Sequence, residues 1–238
     1  MPHKQFPAPT VHQVDGLRGV WRLTQAKPYP VNCYIIEHGD ERILIDTGHA
    51  DQPGQLLEAV RSAVGQITAI LLTHGHRDHV GALAEIEQAT GVPIYAHPDE
   101  IPYIMNERYH GALRDSWWFL QPKGPSAPAP VGPVRPLRHG DRLGPLTACH
   151  TPGHSPGHLA FYHAERGIWF CGDLLATMFG RVTGPIWFFT YDLALTRRSA
   201  RRLLESGPVR ALCAGHGDPL IGPMEERITR YLRRHNAL

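Results

Sequence analysis

Three histidines and an aspartate fall within six consecutive residues, in the run Thr73-His74-Gly75-His76-Arg77-Asp78-His79. The apolar stretch before it, Ala69-Ile70-Leu71-Leu72, reads as a short buried strand, and Val80 to Ala89 reads as a helix. Side chains at i, i+2, i+4 and i+5 do not share one face of a regular helix or strand. They converge in a loop between the two, where Gly75 lets the backbone turn tightly. Neutral imidazole and carboxylate are ligands that divalent transition metals accept at neutral pH. The run is therefore read as a metal-binding loop rather than as a surface histidine cluster.

Three later segments repeat the same device, each with one candidate ligand after an apolar strand. His154 lies in Thr151-Pro152-Gly153-His154-Ser155-Pro156-Gly157-His158, Asp173 follows Ile168-Trp169-Phe170-Cys171-Gly172, and His216 follows Ala211-Leu212-Cys213-Ala214-Gly215. A glycine precedes each of the three ligands and permits the sharp turn that aims a side chain across the strand ends. Ligand-bearing loops beyond buried strands are how rigid scaffolds position chemistry.

The rest of the 238-residue chain fits one or two domains with a substantial core. Strands are expected around Val11–Trp21, Asn32–Glu37, Arg42–Asp46, Val92–Ala96, Leu146–His150, Leu159–His163, Ile168–Cys171 and Val209–Cys213. Helices are expected over Gln55–Val64, Leu193–Glu205 and Met224–His235. Strands and helices thus occur in two comparable halves. Between them, residues 99–136 read as an insertion within a single domain: a helical or irregular lid, then a stiff connector. Six prolines among residues 121–136 predict no regular element there.

A net charge of +2, from 24 basic and 22 acidic residues, gives no general attraction to nucleic acid or anionic lipid. The cluster Arg197, Arg198, Arg201 and Arg202 is read as a solvated helix face. No apolar stretch reaches the length of a bilayer span. Met1 to Thr10 carries no apolar core of a signal peptide, so cytoplasmic residence is expected. The four cysteines form no C-x-x-C pair and are expected to be reduced and mostly buried.

Taken together, the T-H-x-H-x-D-H run, His154, Asp173 and His216 resemble the metallo-β-lactamase superfamily from about Ile43 to Pro219. The resemblance implies an α/β fold, a four-layer αβ/βα sandwich with a binuclear metal site along one edge of two sheets. His74, His76 and His154 would hold one divalent cation, Asp78, His79 and His216 a second, and Asp173 would bridge them. Asp78 and Asp173 would be the catalytic carboxylates. Asp46, at a strand end, would support a ligand from behind rather than bind metal. Five histidines and two aspartates suit zinc, iron or manganese, with zinc the default for chemistry that needs no redox step. A pair of cations lowers the pKa of a shared water towards about 7, so a bridging hydroxide becomes available as nucleophile.

The segment around His154 and Asp173 is most similar to the glyoxalase II branch. A bridging aspartate argues against a true β-lactamase, and the short stretch after His216 leaves no room for a glutathione-gripping domain. The implied activity is hydrolysis of a small ester, thioester or lactone. A mononuclear iron persulfide dioxygenase and a phosphodiesterase or nuclease are the alternatives, the last disfavoured by the charge balance. The partner is thus a small-molecule substrate, with no nucleic acid and no membrane. With seven ligand positions filled, His158 is expected to hydrogen-bond nearby, and His49 and His97 are candidates for the surroundings of the site. Tyr103, Tyr109, Trp117, Trp118, Trp187 and Phe188 are candidates for an apolar wall over the metals, and Tyr109 or Tyr191 for an oxyanion donor.

Overall fold

Period-2 alternation along the strands sorts apolar side chains onto two faces, and both faces of both sheets are covered. The computed structural model describes residues 7–26, 29–50, 53–108 and 127–238. The first sheet runs in chain order through β1 (Thr10–Gln13), β2 (Val20–Gln25), β3 (Val31–His38), β4 (Glu41–Ile45), β5 (Ala69–Leu71), β6 (Ile94–Ala96) and β7 (Val134–Pro136). Its first four strands form an antiparallel meander, and β4 to β7 are parallel. Crossovers between the parallel strands carry α1 (Pro53–Val64), α2 (Arg77–Val80), α3 (Leu83–Thr90) and α4 (Ile101–Ile104).

The second half opens with β8 (Arg142–Leu143), β9 (Leu146–His150), β10 (Leu159–His163) and β11 (Ile168–Gly172). A separate hairpin, β12 (Ala176–Met178) and β13 (Arg181–Thr183), leads into α5 (Leu193–Ala200) and α6 (Arg202–Glu205). The chain then returns as β14 (Ala211–Ala214), parallel to β11, and closes with β15 (Leu220–Ile221) and α7 (Glu225–Arg234). The sheet order is β15-β14-β11-β10-β9-β8.

Three apolar clusters fill the spaces between four layers. Tyr34, Ile36, Ile43 and Ile45 of the first sheet meet Phe161, Phe170 and Cys213 of the second. The alternate residues Cys33, Ile35 and Leu44 face outward onto Leu56 and Val60 of α1 and Leu83 and Ile86 of α3. Ala160, Tyr162, Trp169 and Leu212 likewise face Leu203, Ile228 and Leu232 of α6 and α7. Burying each large aliphatic or aromatic side chain contributes about 1.5–3 kcal/mol. The result is the expected αβ/βα sandwich. The four cysteines are free and buried. Among the described residues, no helix is long and apolar enough to cross a membrane.

Several local expectations are corrected. The stretch Val11–Trp21 is a hairpin, because Gly16 and Gly19 turn the chain between β1 and β2. Asp78 and His79 lie in the helical turn α2 rather than in a loop, and the helix then breaks before α3. The Pro-rich connector does yield a strand: among the described residues β7 pairs only with β6, at the sheet edge, where proline is tolerated. Tyr109, Trp117 and Trp118 lie outside the described residues.

The two sheets are tied together along the edge where their strands end. Leu159 N donates to Thr73 O (2.8 Å) and Asn32 N to Gly215 O (2.8 Å). The buried Asn32 amide donates to Ala214 O (3.1 Å) and Gly217 O (2.6 Å) on either side of the His216 turn. Asn32→Ala removes the side-chain donor to Gly217 O and one of two donors to Ala214 O, which keeps the Tyr34 hydroxyl (2.8 Å), and is expected to cost about 1–3 kcal/mol. Urea denaturation of the purified variant measures it, and a loss below about 0.5 kcal/mol, the usual effect of an uninvolved surface position, would show that the turn is held by other contacts.

Candidate metal centre

All seven expected ligand residues meet along this tied edge. His74 and His76 follow β5, Asp78 and His79 occupy α2, His154 lies in the loop after β9, Asp173 follows β11 and His216 follows β14. His76 Nδ1 lies 3.0 Å from His74 Nε2 and 2.9 Å from His154 Nε2. On the other side, His216 Nε2 lies 3.3 Å from Asp78 Oδ2, and His79 Nε2 lies 3.8 Å from the same oxygen. Asp173 stands between the groups: Oδ1 is 3.3 Å from His79 Nε2, and Oδ2 is 3.5 Å from both His154 Nε2 and His216 Nε2. Candidate ligand atoms within 4.8 Å of one another thus form the sets His74/His76/His154, His74/His79/Asp173 and Asp78/His79/His216.

The outer nitrogens of the rings are anchored, which aims the inner ones. His79 Nδ1 donates to Asp46 Oδ2 (2.8 Å), and His216 Nδ1 donates to Pro30 O (2.7 Å). His154 Nδ1 lies 3.1 Å from the Thr190 hydroxyl. The Thr73 hydroxyl gives its one proton to Asp46 Oδ2 (2.8 Å), so it accepts from His74 Nδ1 (3.0 Å). In these rings the Nε2 atom is turned to the centre, the pattern of imidazoles that hold metals. Two buried atoms there, His79 Nε2 and Asp173 Oδ1, face each other at 3.3 Å and have no hydrogen-bond partner beyond that ion pair. Buried polar atoms are rarely left so, and a cation between the rings and the carboxylate satisfies both. The residues present therefore fit a divalent metal site.

Asp46 does not reach the centre. Its backbone is left-handed (φ 60°), and its carboxylate also accepts the Thr73 amide (2.8 Å). His158 is buried behind Asp173: its Nε2 accepts the Asp173 amide (3.1 Å), and its Nδ1 meets the Thr151 hydroxyl (2.9 Å). Gly172 is required here, because at φ +48° a Cβ would stand 2.8 Å from both His158 Nε2 and the Thr73 side chain. His49 holds the Tyr29 carbonyl (2.9 Å), and His97 stacks on His150 (4.1 Å), so neither joins the seven. Tyr103 is only 5 % exposed, so it adds no open wall, whereas Trp187 and Tyr191 are about half exposed.

Sequence reasoning missed Tyr29, whose ring lies 6.0 Å from that of His216, and the anchors Pro30 and Thr190. Thr73 directly adjoins the motif, but nothing in the sequence marks the others. Thr190 is 36 residues from His154, and Pro30 is 186 residues from His216.

Burial and neighbouring charge divide the ligands into two classes. Burial, then His79 and His76, pushes His74 down, and burial takes His154 to about 3, so both are neutral at pH 7. Burial is the largest single influence on His79 and His216 and pulls both down, but Asp173 and Asp78, joined by Asp46 at His79, together outweigh it, lifting His79 well up and His216 to about 10. For Asp78 and Asp173, the upward push of burial is overcome by these same two imidazoles, and both carboxyls fall below their usual range.

The family model described as "Metallo-beta-lactamase superfamily" matches residues 26–216. The chain belongs to this superfamily. It is 30% identical over 192 residues to "Probable metallo-hydrolase YybB" of Bacillus subtilis, covering 81% of this chain and 83% of that protein. It is 28% identical over 213 residues to "Hydroxyacylglutathione hydrolase GloC" of Haemophilus influenzae, covering 84% and 92%. Among solved structures, TTHA1623 in a di-iron-bound form matches with a TM-score of 0.66 at 34% identity, over 86% of this chain and 94% of that one. This member of the superfamily is accordingly a metal-dependent hydrolase with a divalent metal site.

The raised imidazoles carry protons at neutral pH that a cation must displace. Zinc added to the metal-free protein at pH 7 is expected to release protons, and its affinity is expected to fall as the pH is lowered. Calorimetry in two buffers of different ionisation enthalpy reads the released protons directly. Binding without proton release would show that His79 and His216 are either not ligands or not protonated in the metal-free protein.

Proposed function

We propose that this chain hydrolyses a small ester, thioester or lactone, with two divalent cations held by the seven residues. The observation that carries this reading is the position of Asp173, one oxygen towards His79 and the other towards both His154 and His216. A carboxylate so placed belongs equally to the His74/His76/His154 group and to the Asp78/His79/His216 group, as a bridge between two cations must.

When bound, the cations would supply a water acidic enough to attack at neutral pH and a Lewis acid for the substrate carbonyl. The chain's residues do the rest. Asp78 and Asp173, held ionised, place two negative charges beside two dications and leave the centre receptive to oxygen-rich groups. Asp78 Oδ2, beside His216, would help hold the second cation, and the proton lost by the attacking water ends on the departing thiolate or alkoxide. Asp46 and Thr73 fix His79 and His74, so the nitrogens need not reorganise as charge develops. Tyr29 stands at the rim, its hydroxyl kept protonated by burial and by the charges of Asp78 and Asp173, and it hydrogen-bonds to Asp78. Half-exposed Trp187 and Tyr191 offer apolar surface to an acyl group.

The name of the Haemophilus influenzae relative favours a thioester among the three substrate classes. The donor set takes zinc, iron or manganese, and the di-iron form of TTHA1623 supports considering iron alongside zinc.

Elemental analysis of the purified protein, followed by thioester, lactone and phosphodiester panels on the same sample, tests the proposal. Two metals per chain and thioester or lactone turnover are expected. One iron with oxygen consumption on a persulfide, or turnover of phosphodiesters alone, would overturn it. Asp173→Ala is expected to lower kcat by about 10²–10⁴-fold and to reduce the bound metal towards one per chain. Full activity with two metals retained would remove the bridge.

A further inference from the structure

Glu100 is fully buried, lies outside the seven-residue set and touches both loops that supply its histidines. Its Oε2 accepts the Gly75 amide (2.8 Å), between His74 and His76. Its Oε1 accepts the Gly157 amide (2.7 Å), between His154 and His158. The first of these loops extends from β5 in one sheet and the second from β9 in the other. One carboxylate therefore spans the joint between sheets at the point where His76 Nδ1 must meet His154 Nε2. The turn that carries Glu100 is fixed from behind, since the Glu100 carbonyl accepts the amides of Tyr103 and Ile104 in α4.

The packing around this contact is specific to it. A Cβ on Gly157 would stand 2.9 Å from both the Glu100 amide nitrogen and His97 Nδ1, and 3.0 Å from Glu100 Cγ. Glycine at 157 lets the loop lie close enough for its amide to reach the carboxylate. A buried carboxylate is a costly way to fill space, and an apolar residue would do so at less expense in solvation. Two amide donors approaching two oxygens call for a carboxylate in particular. An amide side chain offers one oxygen and one NH₂, and the NH₂ would face a second N–H donor. Aspartate is one methylene too short to reach both loops.

We propose that Glu100 is a positioning residue that sets the separation of the His74–His76 and His154 loops, and thereby the geometry of one of the two cation sites. The proposal rests on the two-cation reading above. It is specific to the His74/His76/His154 group, because Asp78, His79 and His216 are oriented by Asp46, Pro30 and each other. Glu100 touches neither the reacting atoms nor a cation in this arrangement, so it acts only through the loops.

The test compares zinc binding to wild type, Glu100→Gln and Gly157→Ala, with kcat and KM measured on the same samples. Zinc is titrated into metal-free protein by calorimetry, and cobalt(II) absorption spectra report the coordination geometry. Wild type binds two ions if the two-cation reading holds. Binding of fewer ions by the wild type would defeat that reading itself, separately from the role of Glu100. Given two ions, Glu100→Gln is expected to weaken one of them by about 10–100-fold. The other should stay within about twofold. The cobalt spectrum should change for the weakened site alone, with kcat falling more than KM rises. Gly157→Ala separates the same loops without altering the carboxylate and is expected to reproduce the pattern. Unchanged affinities in both variants, or equal weakening of both ions, would overturn the proposal. Should neither variant fold, hydrogen exchange in the wild type decides. Protection of the Gly75 and Gly157 amides that rises together on zinc binding supports the joint role, and fast exchange of either amide overturns it.

Discussion

Two carboxylates and five imidazoles crowd together at one place, with His74, His79 and His154 buried and His76 and His216 partly open, and much of the structure answers to the cost of that burial. An unpaired buried charge is among the most destabilising things a fold can contain. Asp78 and Asp173 avoid this by lying against His79 and His216, which hold protons more tightly than free histidine does. The chain thus has a charge-compensated state of its own. Divalent cations at the same atoms would displace those protons and bring in more positive charge than they replace.

The sandwich makes such a convergence achievable. Parallel strands β4 to β7, and the parallel pair of β11 and β14, send their chain ends in defined directions. Loops leaving those ends meet at one rim, on scaffolds whose positions are fixed by the three apolar clusters. Precision is then added by hydrogen bonds at the outer nitrogens. Asp46 is the most economical of these, since one side chain fixes Thr73 by two bonds and His79 by a third. Its left-handed backbone is the kind of strain that persists only where surrounding contacts over-determine it.

Most of the architecture and the seven converging residues were legible because their signals are local. A glycine before a ligand, an apolar run before the glycine and alternation along a strand can all be read within ten residues. What escaped notice depends on partners distant in sequence. Thr190 and Pro30 look like ordinary loop residues until the fold delivers them to His154 and His216. Glu100 reads as one charge among many beside Asp99, and only folding reveals that it is buried against Gly75 and Gly157. The edge strand β7 was hidden by prolines that exclude interior strands but not a strand paired on one side. Helix α2 was hidden by its length, a single turn with no room for a periodic pattern.

Because each proposed cation draws side chains from both sheets, it would act as a rivet between the two halves of the molecule. Its binding energy would be delivered to the rim joint rather than spread through the core. A free cation concentration a thousandfold above its dissociation constant adds about 4.1 kcal/mol against any opening that separates the ligands. Breathing motions that part the halves at the rim would then be suppressed far more than fraying at β1 or at the outer helices, so metal occupancy would set the mechanical stiffness of the cleft.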